Sequence, residues 1–207
     1  MPSAIYIAYA AAAFAGAALV APQLARLLLS RREQPLSPIK PLARLALAAL
    51  STAGACGMLW EHDALATALL LAGLIIMEAL VICDIRARIL PWEGCLMLGV
   101  LGVLLRLLDG GLLTSIALAA LVFAALFGSS VLVSHGKSRA LGWGDLRLIP
   151  ALVLIGGPAG TICGGLACAV AACAHALVCL VAQRGSASDA FPLGPSLLVW
   201  FLVVALC

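Results

Sequence analysis

Residues 64–83 read ALATALLLAGLIIMEALVIC, an apolar run with Glu78 as its one charge, and it ends on Asp84. A helix rises about 1.5 Å per residue, so a run of roughly 20 residues matches the hydrocarbon core of a bilayer. The same pattern recurs along the chain. Apolar stretches between charges and helix breakers fall at 4–29, 42–60, 64–83, 93–108, 112–134, 146–157, 159–183 and 191–207. They predict an all-α polytopic membrane protein with about eight transmembrane helices and short loops. The sixth stretch is the shortest, a segment between Asp145 and the turn signal Gly156-Gly157-Pro158, and a short or half-buried helix is an alternative there.

Composition agrees. Of the 207 residues, 65% are hydrophobic and 10% charged, far from the balance of a soluble domain, so the lipid bilayer is the expected surrounding and no nucleic-acid partner is expected. The apolar stretch after Met1 lacks a basic start and a cleavage site, and reads as a retained first helix. Eleven of the 12 Lys and Arg residues fall on one side of the predicted spans, and Arg106 alone falls on the other with Glu61, His62, Asp63 and Asp109. The bias places both termini outside and the loops near 30–41, 84–92, 135–145 and 184–190 in the cytosol. The linker from Ser30 to Pro41 is too short for a domain.

The eight cysteines contain no Cys-x-x-Cys pair, and Cys163, Cys168 and Cys173 recur every five residues, which puts them on different helix faces. They read as packing residues, and no metal or cofactor is expected. His62, His135 and His175 share no ligand spacing.

Two carboxylates stand at the cytoplasmic ends of apolar helices, where a charge needs a partner, a water-filled space or a function. Asp84 closes one run and Asp145 opens another, sixty-one positions later. Two carboxyl groups held close cannot both ionise cheaply. They share a proton, so that one acts on water while the other protonates a carbonyl, the chemistry of an aspartic peptidase. Gly142 and Gly144 in Gly142-Trp143-Gly144-Asp145 allow close backbone approach, and Pro91 ends the helix that carries Asp84. The plainer reading of each acid is an interfacial residue neutralised by Arg86 or Arg88, or by Arg147.

Three segments resemble the type IV prepilin peptidases. Asp84 is followed by Leu90-Pro91 as in that family's first motif, an Asp with Pro seven positions on. Gly142-Trp143-Gly144-Asp145-Leu146-Arg147 is similar to its Gly-x-Gly-Asp-x-Lys motif, with Arg147 in place of Lys, and Pro192-Leu193-Gly194-Pro195 is similar to its Pro-x-Gly-Pro segment. The resemblance covers residues 42–207 and implies a peptidase-like membrane domain preceded by a first helix and linker at 1–41. It implies catalytic roles for Asp84 and Asp145, and substrate-binding or site-shaping roles for Gly142, Gly144, Arg147, Pro91, Pro192, Gly194 and Pro195. It implies cleavage of the leader from prepilins or secretion pseudopilins at the cytoplasmic face of a bacterial inner membrane. Trp92 departs from the Asn or Asp usual after Leu-Pro, and Ser30 to Pro41 replaces the Cys-rich domain of the larger, N-methylating members, so methyl transfer is not expected. Rival readings are a proton-coupled transporter using Asp84, Glu78 and Asp145 as a relay, and an assembly factor without turnover.

Overall fold

The computed structural model describes residues 2–30, 32, 41–134, 142–181 and 192–206, which are helical apart from short turns, with no strand among them. The loop His135 to Arg139, Lys40, Arg184, Phe191 and most of the 30–41 linker lie outside the described residues. The helices are α1 (Pro2–Ala15), α2 (Ala21–Ser30), α3 (Pro41–Glu61), α4 (Ala64–Ala87), α5 (Trp92–Asp109), α6 (Leu112–Ser134), α7 (Trp143–Val181) and α8 (Gly194–Ala205). A π-helical turn, Gly16–Val20, joins α1 to α2 without a break in the rod. A side chain at Gly16 would overlap Ile75 of α4, so glycine lets the two elements pack closely there.

Among the described residues, four stretches are long and apolar enough to cross a membrane: Ala4–Ser30, Ala64–Ala87, Leu112–Leu132 and Trp143–Val178. Leu45–Met58 and Gly194–Ala205 are apolar but shorter. The described residues thus form an all-helical protein of membrane type, as the sequence led one to expect, with four stretches of spanning length where eight crossings were expected.

The predicted sixth and seventh spans form the single continuous element α7, broken at Gly157, whose φ of 59° and ψ of −164° suit glycine alone. The chain reverses there. Gly157 lies beside Arg106 and Ser115, at the α5–α6 turn, whereas Ala171 and His175 share a cavity with Ile85 at the far end of α4. The first leg, 143–156, is about 21 Å long, well short of a bilayer core. Its apolar character has another cause: Leu146, Leu148, Leu152, Val153 and Ile155 are fully buried, in a helix that packs on α5, α6 and α8. A helix apolar all round is one surrounded by protein or by lipid, and here protein supplies most of the contacts.

Arg106, the exception to the charge bias, caps this leg. Its Nη2 donates to the Ile155 carbonyl at 2.5 Å, and its Nη1 pairs with Asp109 at 3.1 Å. The last carbonyls of a helix have no partner within it, and a cation there also meets the negative end of the helix dipole. The ion pair to half-exposed Asp109 contributes little. Arg106→Met is therefore expected to lower stability by about 1–3 kcal/mol through the bond to Ile155. Unfolding in detergent micelles checks this, and Asp109→Asn should cost less. Equal losses would place the weight on the ion pair instead.

Asp63 and His62, at the same end, also have structural partners. Asp63 caps α4 by accepting from Ala66 N–H at 2.7 Å, and His62 Nε2 lies 3.2 Å from the Ala205 carbonyl. Gly156 and Gly160 pack under Val204, and Gly164 under the Trp200 indole, so the small residues bring α8 close to both legs. Trp200 is consequently buried inside the protein. Trp92 and Trp143 instead sit half-exposed at helix starts; the Trp60 side chain lies outside the described part.

Candidate active site

Asp84 lies in the last turn of α4 and is buried. The helix stops three residues later because Arg88 adopts a left-handed conformation, φ 52° and ψ 36°, with its N–H bonded to the Asp84 carbonyl at 2.8 Å. A non-glycine residue there costs conformational energy that the surrounding contacts must hold in place. Pro91, extended at φ −61° and ψ 129°, then opens α5 and carries Leu90 across to the start of α7.

At that start, Gly142 is the cap of α7. Its carbonyl accepts from Leu146 N–H at 3.1 Å, and the Asp145 carboxylate reaches back to the Gly142 N–H. This reciprocal arrangement satisfies one of the helix's free donors. A side chain on Gly144 would overlap the Leu90 side chain at its Cβ, so glycine is what lets the Asp84 loop rest on the Asp145 helix.

The third segment meets the first directly. Gly194 N–H, in the first turn of α8, donates to Asp84 Oδ2 at 2.7 Å in a buried contact. A Cβ at Gly194 would stand 2.8 Å from that oxygen. Pro195 follows in the first turn, where its missing N–H removes nothing the helix needs.

Asp84 and Asp145 line one cavity of about 250 Å³, together with Gly142, Trp143, Gly144, Ile89, Leu90, Arg32, Arg88 and Arg147. Arg147 lies over the Trp143 ring at 5.8 Å, and Arg32 pairs with Glu93 at 3.4 Å. Among the described residues, the ion pairs within 4 Å are Arg32–Glu93 and Arg106–Asp109, and Arg88 acts on Asp84 from across the cavity without such a contact. The chain matches no family model, no curated protein and no solved structure. The site is legible only from its own geometry.

Of the residues singled out from the sequence, Asp84, Asp145, Gly142, Gly144 and Arg147 line the cavity, and Gly194 touches it through Asp84. Pro91 is buried behind Leu90. Pro192 and Pro195 line a separate cavity of about 430 Å³ with Ile85, Ala171 and His175, and so shape the α8 start without reaching the acids' space. Arg32 reaches the cavity without any local signal, brought there because α2 packs on α4. Glu78 is fully buried, and Ser51 of α3 donates to it through a short hydrogen bond. Its Oε1 is thus partnered within the bundle, while its buried Oε2 has no hydrogen-bond partner among the described residues.

A water occupies about 30 Å³ in the liquid, so the cavity that both acids line has room for a peptide group and a water. One carboxyl group would remove a proton from water while the other donates to the carbonyl under attack.

Proposed function

We propose that the chain is an aspartic endopeptidase of the type IV prepilin peptidase kind, which cuts the short leader from prepilins or secretion pseudopilins with Asp84 and Asp145. The observation that carries this reading is the convergence of three distant segments on one space. Gly194 N–H is bonded to Asp84, Leu90 rests on Gly144, and Asp84 and Asp145 face a common cavity. Local helix packing does not require these contacts, whereas a two-carboxylate site does.

In the proposed reaction, the ionised member of the pair takes a proton from a water, which adds to the scissile carbonyl as the protonated member donates to its oxygen. The tetrahedral intermediate then collapses, with a proton passing to the leaving amine. The atoms balance without a covalent enzyme intermediate. Gly194 N–H fixes Asp84 Oδ2 and leaves Oδ1 for water and substrate, and Arg147, held over the Trp143 ring, lines the same space.

With this function go eight crossings of a bacterial inner membrane and acids at its cytoplasmic face. Right-side-out and inverted vesicles carrying the wild-type chain test both parts together. Inverted vesicles should trim an added model prepilin at least about tenfold faster than sealed right-side-out ones. Trimming in neither preparation would remove the peptidase reading, and trimming only in right-side-out vesicles would reverse the orientation.

A further inference from the structure

Next to the aspartate cavity lies a larger one of about 560 Å³, lined on α5 by Trp92, Cys95, Leu96 and Gly99, on α6 by Phe123, and on the first leg of α7 by Leu146, Arg147, Pro150, Ala151 and Leu154. Trp92, Cys95, Leu96 and Gly99 are spaced i, i+3, i+4, i+7, and Arg147, Pro150, Ala151 and Leu154 repeat that spacing. Each set is one face of a helix. Both helices run away from the aspartate end, so two helical stripes stand side by side with an unfilled trough between them, each about 10 Å long. A Cβ at Gly99 would meet nothing within 4 Å, so the floor is open.

The trough adjoins the candidate site. Arg147 lines both cavities, and the Cys95 thiol faces the Gly144 carbonyl at 4.0 Å. Half-exposed aromatic rings lead the same way: Phe123 stacks on Phe127 at 6.1 Å, and Phe127 meets Trp143 at 6.3 Å. A trough between two helical faces fits a third helix, which buries its own apolar stripe there.

We infer that this trough receives the first two turns of the substrate's apolar helix, and so delivers the peptide bond just before that helix to Asp84 and Asp145, with Trp92 as one wall. The inference rests on the peptidase reading and adds to it the surface that measures where the cut falls. Trp92 stands where the resembled family has a polar residue, so the wall is a property of this chain.

Gly99→Trp puts an indole into the trough from a position where a Cβ meets nothing within 4 Å, and Gly128→Trp, at another open glycine outside it, serves as the control. The readout is the ratio of cleavage of a span-bearing prepilin to that of a leader peptide lacking the span, both in detergent. Gly99→Trp should lower the ratio at least tenfold and Gly128→Trp should not. In parallel, benzoylphenylalanine at Leu96 should crosslink to the first apolar turns of the substrate. A ratio unchanged in Gly99→Trp, or a Leu96 probe that captures only phospholipid, overturns the docking inference while wild-type cleavage keeps the peptidase reading. Absence of wild-type cleavage of either substrate removes both.

Discussion

Asp84→Asn and Asp145→Asn are each expected to lower prepilin cleavage on the order of a thousandfold or more at unchanged abundance. Asn fits the space of Asp and still accepts from Gly194 or Gly142 N–H, so the fold contacts survive. What disappears is the proton transfer. Positioned acid–base groups contribute about 10²–10⁴-fold, and a pair that shares its work should be lost as a unit, so the double variant should be no slower than either single one. A merely interfacial aspartate would behave differently, because its replacement by a neutral amide would leave activity intact and ease its burial.

Gly194→Ala should cut the rate about 10–100-fold. Its methyl group would press against Asp84 Oδ2, to which the Gly194 N–H now bonds at 2.7 Å, and a hydrogen bond to a charged group contributes about 1.5–3 kcal/mol. Gly194 is a positioning residue, so the loss should appear in kcat with KM little changed. Gly144→Ala should be comparably harmful by another route. The added atom meets Leu90 at its Cβ, which cannot rotate away, so the Asp84 loop must lift from α7. Both variants should remain folded in membranes, and a Gly194→Ala enzyme of normal kcat would remove the role given to the α8 start.

The helices themselves were readable because apolar runs bounded by Glu61-His62-Asp63, Arg86-Ala87-Arg88 and Gly110-Gly111 leave little choice of boundary, and α4 and α6 start where those signals place them. The break at Gly157-Pro158 was equally visible. Hydropathy alone does not distinguish a helix in lipid from one in protein, which is why the first leg of α7 read as a weak span although it lies in the core. The same ambiguity hid Trp200, whose indole fills the gap over Gly164, and Arg106, whose charge serves a helix end and not a loop.

For the site, glycines before Asp145 and a proline after Asp84 pointed to close approach, but not to what approaches. Leu90 on Gly144 and Gly194 on Asp84 are contacts across 54 and 110 positions of chain, and no local pattern encodes them. Arg32 was readable only as an orientation charge until the packing of α2 on α4 brought it to the cavity.

The central claim is that Asp84 and Asp145 together cut a peptide bond. It is tested most directly by incubating a model prepilin with membranes carrying equal amounts of the wild-type, Asp84→Asn and Asp145→Asn chains, and by identifying the new N-terminus by mass spectrometry. The account predicts trimming by the wild type, just before the apolar segment, and none detectable by either variant. An inert wild type, or variants that trim as well as it does, would contradict the account and favour the transporter or assembly-factor readings.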